Sequence, residues 1–171
     1  YAVPVTVTDE DTFISDFANL TVNDVDPAIT NFALDANPVV EGSTLTVTFD
    51  ANPGSTADGL TSCTVDWGDG STPDTTDCSA TTFTHVYTDD VCDAGAGHNC
   101  LAGQFIITAT IVDEDSQQGP TTTTIAVTDL EPTVANLNVG TADEGVSHTI
   151  TFDSLAGGSA DVLTKCTVDW D

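Results

Sequence analysis

Positive charge is almost absent from this chain. Its 171 residues include one lysine, Lys165, and no arginine, against 28 aspartates and glutamates, which gives a formal net charge of −27. Such a surface repels nucleic acids and anionic membranes, so we expect no nucleic-acid partner and no direct membrane contact. Three ways of relieving the self-repulsion stay open: screening by high salt, bound divalent cations, or a role in solubility alone.

Long apolar runs, methionine and catalytic motifs are also missing. No apolar run reaches the roughly 18 residues of a membrane-spanning helix, and no signal sequence is present. We expect any export signal or anchor to lie outside this segment. There is no G-x-S-x-G motif, and carboxylate pairs are so common here that they do not indicate a glycosidase site. The sequence therefore predicts a protein that is not an enzyme.

Cysteine and histidine are few, and their spacing does not suggest a transition-metal site. The five cysteines lie at positions 63, 78, 92, 100 and 166 without a C-x-x-C motif, and the three histidines form no H-x-x-x-H pair. Disulfides explain the cysteines better, and disulfides persist in oxidising surroundings. The sequence thus predicts an extracellular protein, either secreted or held at the cell surface.

The chain repeats itself. CTVDW at 63–67 recurs at 166–170, and EGSTLTVTFD at 41–50 matches EGVSHTITFD at 144–153, in both cases 103 residues later. VTDED matches IVDED 104 residues later, and NDVDP matches TDLEP 105 residues later. Offsets this consistent indicate tandem structural units of about 103–105 residues.

This period sets the expected boundaries of the units. Residues 26–129 form one complete unit, residues 1–25 are the C-terminal part of a preceding unit, and residues 130–171 are the N-terminal part of a following one. Cys166 then corresponds to Cys63, and we expect its partner to lie beyond residue 171. The odd number of cysteines follows from that division.

Apolar residues alternate with polar ones in several short segments. The alternating sets are Leu45, Val47 and Phe49; Cys63, Val65 and Trp67; Phe83, His85 and Tyr87; and Phe105, Ile107, Ala109 and Ile111. Clusters of Gly, Pro, Asp and Asn bound these segments, and no window shows a 3.6-residue period. Abundant threonine suits half-exposed strands. The sequence predicts an all-β fold of tandem immunoglobulin-like β-sandwiches.

Three motifs of the complete unit resemble the polycystic kidney disease (PKD) domain family. They are VDWGDGST (65–72), FTHVYTDD (83–90) and GQFIITATIVDEDS (103–116), in the family's order. The chain departs from the family pattern at Val65, where the family has Trp, at Trp67, where it has Phe, and in the insertion CDAGAGHNC (92–100). The resemblance implies immunoglobulin-like repeats of a prokaryotic surface protein that serve as spacer, adhesion or accessory modules.

The hairpin around Gly70 and Ser71 predicts a disulfide. A turn there would place Cys63 directly opposite Cys78, with their Cβ atoms about 4.5–5.5 Å apart before bonding. Cys92 and Cys100 would close the insertion loop with a second disulfide.

The aromatic and histidine residues are expected inside the fold. Trp67 shares a strand face with Val65, so we expect Trp67 and its counterpart Trp170 to pack in cores and not to serve as sugar-stacking platforms. His85 holds the inward position of the H-x-Y motif, where we expect it to form an internal hydrogen bond.

Acidic residues are concentrated where neighbouring units should meet. We expect the loop 113–115, the loop around Asp58 and the incoming linker to reach one end of the sandwich. The candidate ligands are Asp24, Asp26, Asp58, Asp113 and Asp115, with Asp129, Glu131 and Asp161 as the set for the following unit. Converging carboxylates suit Ca²⁺, which takes about six to eight oxygen ligands, and NDVDP also resembles the acidic joints of cadherins.

Two alternatives accompany this calcium prediction. A second cluster is expected at the opposite end, from Glu41, Asp89 and Asp90. All of these acids are otherwise explained as solvated loop residues on a surface that is acidic everywhere.

The predicted function is structural or adhesive. The chain would be a segment of a surface stalk, filament or sheath, stiffened by Ca²⁺ at its joints, with neighbouring repeats or copies of the same protein as partners in a fibre or array. The alternative is an accessory substrate-binding module of a secreted hydrolase.

Asn19, in Asn19-Leu-Thr21, fits a glycosylation sequon, and TTTT at 121–124 can carry O-linked sugar.

Overall fold

Strands make up the regular structure of this chain. The computed structural model describes residues 1–115 and 120–170, so Ser116, which ends the third motif, and Asp171 lie outside the described residues. The strands are β1 (Ala2–Thr8), β2 (Phe13–Asn19), β3 (Ala28–Leu34), β4 (Val39–Val40), β5 (Thr44–Asn52), β6 (Leu60–Asp66), β7 (Asp74–Thr76), β8 (Thr82–Val86), β9 (Cys100–Leu101), β10 (Gln104–Asp113), β11 (Thr121–Ile125), β12 (Val127–Thr128), β13 (Thr133–Asn138) and β14 (Thr151–Leu155). A 3-10 turn spans Ala94–Ala96 in the insertion loop.

Two antiparallel sheets enclose a common core in the segment 26–129. One sheet has the order β3–β5–β8, and the other has the order β11–β10–β6–β7 with β9 added to β10. Side chains of both sheets form one buried cluster, in which Val47 of β5, Val65 of β6 and Ile107 of β10 are fully buried. Because alternate side chains of a strand point to one face, β10 alternates between buried and half-buried residues along its length. The predicted all-β fold class is confirmed.

A short parallel bridge closes one edge of this sandwich. β4 pairs with β12 in parallel, which ties the start of the unit to its end. The N–H of Val39 donates to the carbonyl oxygen of Ala126, and the N–H of Glu41 donates to the carbonyl oxygen of Thr128, both at 3.0 Å. The bridge therefore places Glu41 beside the residues that lead out of the sandwich, 129–131.

Both predicted disulfides are present, but the predicted register of the first hairpin is wrong. In the β6–β7 ladder Cys63 pairs with Thr76 and not with Cys78. The ladder is shifted because the connection between the strands is held by Asp69, whose Oδ1 accepts hydrogen bonds from the N–H and hydroxyl of Ser71. Cys78 lies beyond β7, where a φ of 65° turns the chain back until its Cα is 5.0 Å from that of Cys63. The second disulfide joins Cys92 to Cys100.

Trp67 lies in the core, as predicted, and is 1% exposed. Its indole N–H donates to Asp74 Oδ2 at 2.8 Å, and its carbonyl oxygen accepts from the hydroxyl of Tyr87 at 2.9 Å. The ring of His85 stacks on the indole, with centroids 4.7 Å apart. Trp170 is 65% exposed, so the prediction that it is buried like Trp67 is wrong. The groups that cover Trp67 come from residues 85–87, and residues 130–170 include no counterpart of that segment.

The strand pairs β3–β5 and β13–β14 have the same register. Both contain an irregularity at the same place, at Asn31 in the first pair and at Asn136 in the second. The two asparagines have φ values of 52° and 49°, and the side-chain amide of each donates to an aspartate at 2.6 Å, Asp50 or Asp153. The sequence counterparts identified by the period thus adopt the same local structure.

Candidate metal centre at the joint

The loop 156–161 packs against the sandwich formed by residues 26–129. The backbone of Gly157 approaches the carbonyl oxygen of Leu130 in the linker, and a Cβ atom at this position would overlap that oxygen. The N–H of Ala160 donates to the carbonyl oxygen of Thr88 at 3.3 Å. We call this contact region the joint; it comprises residues 41, 88, 129–131 and 156–161.

Glu41 is the buried acid of the joint, with 1% of its surface exposed. Its Oε1 accepts a hydrogen bond from the N–H of Leu130 at 2.8 Å. Its Oε2 is buried without any hydrogen-bond partner. Because removal of a carboxylate from water is costly unless the charge is compensated, this oxygen is a site where a positively charged ligand is favoured.

Asp129 and Asp161 complete a group of three carboxylates with Glu41. One oxygen of each residue lies within 4.8 Å of the other two. Asp161 is half-buried, and its Oδ2 accepts the N–H of Gly158 at 2.9 Å, which fixes the loop that carries it. The three residues come from an edge strand, a linker and a loop of the following segment. The group can therefore hold a metal ion.

The surroundings of Glu41 disfavour an uncompensated negative charge. The N–H of Leu130 lowers the pKa of Glu41, but burial, the charge of Asp161, and the close approach and charge of the Asp129 side chain outweigh that effect and hold the pKa above its ordinary value of 4.5. A cation among the three carboxylates would replace these repulsions with attractions. The protein itself has only one lysine and no arginine to offer.

The other predicted ligands lie outside this group. As expected, the three segments meet at one end of the sandwich, where Gly54 packs against the Val25 carbonyl and Glu114 Oε2 accepts the Gly59 N–H at 2.7 Å. Within the described residues, however, no group of three ligands forms there. Of the predicted ligands Asp58 is half-buried, Asp113 is buried, and the exposed ones are Asp24, Asp26, Asp115 and Glu131.

Glu41 was grouped wrongly by the sequence analysis. The structure places it with Asp129 and Asp161, and not in a separate cluster with Asp89 and Asp90. The sequence did offer one signal for Glu41: the pair Glu-Gly occurs at Glu41 and again at Glu144. At Glu41 the pair directly follows two apolar residues. That pattern places an acid at the end of a buried strand, but it does not reveal which acids face it.

His85 has the internal partner that was predicted. Its Nε2 lies 2.7 Å from Asp69 Oδ2, and both side chains are 16% exposed. Burial alone would raise the pKa of Asp69, but hydrogen bonds from Ser71 and His85 outweigh it and hold the pKa below its ordinary value of 3.8. In the described part of the chain no histidine belongs to a group of three metal-ligating side chains.

No protein-family model matches the chain, and no curated protein matches it. The resemblance to PKD domains therefore stays a prediction that rests on the three motifs.

Two features bear on the surroundings of the protein. The disulfides Cys63–Cys78 and Cys92–Cys100 indicate an oxidising, extracellular environment. Across the residues that the structure describes, no helix is both long and apolar enough to cross a membrane. Asn19, the predicted glycosylation position, is exposed at the end of β2.

Proposed function

We propose that this chain is a segment of an extracellular array of tandem PKD-like β-sandwiches, with a structural or adhesive role and no catalytic one. The observation that supports the proposal is that the same contact between a loop glycine and a linker carbonyl occurs twice in the chain. Gly54 packs against the Val25 carbonyl as Gly157 packs against the Leu130 carbonyl, and a Cβ at either glycine would clash with that carbonyl.

The loops that follow these glycines also match. The N–H of Asp58 donates to the carbonyl oxygen of Ser55, and the N–H of Asp161 donates to that of Gly158, each at 3.4 Å. Together with the shared register of β3–β5 and β13–β14, this supports a division into units at about residues 26 and 130. Repeated units with repeated contacts favour an open, fibre-like array, because a contact that does not close on itself can propagate.

A divalent cation, Ca²⁺, is the proposed stiffener of the joint. Carboxylate oxygens are the ligands that Ca²⁺ prefers, and the group of Glu41, Asp129 and Asp161 spans both sides of the joint. An ion held there would connect the sandwich, the linker and the following segment. It would also relieve part of the net charge of −27.

Small-angle X-ray scattering tests the joint itself. In 1 mM CaCl₂ (an order-of-magnitude choice for weak extracellular sites) we expect a compact joint in the wild type and a larger radius of gyration for Gly157→Ala. Gly59→Ala is the matched control, because a Cβ there would meet only Glu114 Oε2, at 3.8 Å. Equal radii for all three proteins would contradict the joint.

A pull-down on chitin, cellulose and collagen separates the array from the alternative function. A structural segment should not be retained on any of the three polymers. Retention on one of them would favour the accessory module of a secreted hydrolase.

A further inference from the structure

We propose that Glu41, Asp129 and Asp161 bind one oxygen-seeking divalent cation, and that Gly158 is the residue that admits the Glu41 carboxylate to this site. The inference rests on the proposed function, since it assigns the cation of the joint to particular atoms. It joins Glu41, which the sequence analysis assigned to a different cluster, to Asp129 and Asp161, and it adds a determinant, Gly158, that the sequence patterns did not indicate.

The buried oxygen of Glu41 is the first argument. Oε1 is occupied by the N–H of Leu130, whereas Oε2 is buried and has no hydrogen-bond partner. The backbone of Glu41 is also held in place. Its N–H donates to the carbonyl oxygen of Thr128, and the N–H of Gly42 donates to the carbonyl oxygen of Tyr87 at 2.8 Å. The carboxylate is therefore held in place with one oxygen free toward Asp129 and Asp161.

The donor set decides the class of the cation. All three side chains offer carboxylate oxygens, and no histidine or cysteine belongs to the group. Hard cations such as Ca²⁺ take such ligands and complete their shells with carbonyl oxygens or water, whereas Zn²⁺ sites are generally built with nitrogen or sulfur. Asp129 is exposed and Asp161 is half-buried, so their side of the group leaves room for water.

Gly158 is the second argument. A Cβ atom at this position would lie 2.3 Å from Glu41 Oε2 and 2.6 Å from Oε1, so any other residue would displace the carboxylate. Gly158 lacks the positive φ of several other glycines of the chain, so its backbone does not require glycine. The counterpart in the complete unit is Ser55, which already carries a Cβ. A side chain at 158 would thus compete with the Glu41 carboxylate for the same space.

The test is calorimetric titration of the whole chain with CaCl₂. We expect the wild type to bind one ion per chain. For Glu41→Gln we expect a loss of affinity of at least roughly 10–100-fold, which is what removal of a residue that only contacts a ligand costs. Glu41→Gln keeps an acceptor for the Leu130 N–H. Its matched control is Glu144→Gln, because Glu144 is the sequence counterpart of Glu41 but is exposed. The control should bind like the wild type.

Gly158→Ala tests the determinant separately. We expect it to weaken Ca²⁺ binding, again by about tenfold or more, while Gly59→Ala leaves binding unchanged. Near-ultraviolet circular dichroism of the buried Trp67 verifies that each variant is folded.

The outcomes distinguish the site from the function. If the wild type binds Ca²⁺ but Glu41→Gln or Gly158→Ala binds it equally well, the assignment of the ion to these residues is wrong. The proposal of a calcium-stiffened joint would then need other ligands. If no Ca²⁺ binds, the site is overturned, and the scattering of Gly157→Ala still decides whether the joint and the array stand.

Discussion

Reduction of the two disulfides should remove a large share of the stability of the complete unit. The Cys63–Cys78 bridge closes a loop with a sequence separation of 15, and the Cys92–Cys100 bridge one of 8. Loop-closure entropy assigns about 3 kcal/mol to the first and about 2.5 kcal/mol to the second. Their sum, about 5–6 kcal/mol, is comparable with the lower end of the stability range of small domains, about 5–15 kcal/mol.

Urea unfolding followed by tryptophan fluorescence measures this loss. Trp67 is buried and Trp170 is already exposed, so the change on unfolding reports mainly on the complete unit. We compare the oxidised protein with Cys92→Ala/Cys100→Ala, with Cys63→Ala/Cys78→Ala and with the fully reduced chain. The second double variant should lose more than loop entropy alone, because Cys63 is fully buried and its truncation leaves a cavity.

One result would refute this reasoning. If reduction changes the free energy of unfolding by less than about 1 kcal/mol, the bridges do not constrain the unfolded chain as assumed. The fold would then be stable in a reducing compartment, and the argument for an extracellular setting would lose its physical basis.

Three further predictions follow from the packing and electrostatics. EDTA should lower the thermal unfolding midpoint measured by calorimetry, because an ion present at a hundred times its dissociation constant adds about 2.7 kcal/mol to the free energy of unfolding. An unchanged midpoint at moderate salt would reject the calcium joint. The pKa of Asp69 is lowered in the folded state, so its contribution to stability is present above its ordinary pKa of 3.8 and is lost as the pH falls through the lower, folded value. Urea unfolding from about pH 5 downward should show this loss, and Asp69→Asn should make the loss smaller. Ile107→Ala should cost about 2–5 kcal/mol in urea unfolding, because Ile107 is fully buried between the sheets; a cost below that range would mean that the core is loosely packed.

The fold was predictable from local alternation, whereas the candidate metal centre was predictable only in part, at Asp129 and Asp161. β10 shows why the first succeeded: each second residue, Phe105, Ile107, Ala109 and Ile111, is buried, and a period of two can be read from the sequence alone. The Cys63–Cys78 pairing was correct although the register was not, because the backbone turn at Cys78 compensates for the shift. Such compensation depends on a single φ value, which the sequence does not specify.

Glu41 illustrates what sequence patterns miss. Its neighbours at the joint are 88 and 120 residues away along the chain, at Asp129 and Asp161, and only the β4–β12 bridge and the Gly157 contact bring them together. Only some of the predicted ligands belong to the group: Asp129 and Asp161 do, whereas Asp24 and Asp26 do not.

The parallel β4–β12 bridge has a mechanical consequence for a protein pulled at its two ends. Tension enters the sandwich at β3, which pairs with β5, and leaves it after β12. Once the tension reaches β4, the two bridged strands are drawn in opposite directions along their own axes. The bonds from Val39 to Ala126 and from Glu41 to Thr128 then bear the load together in shear, and neither can be unzipped before the other. Since Glu41 is also a member of the acidic group, a bound cation would reinforce the point where the force leaves the sandwich for the segment that follows it.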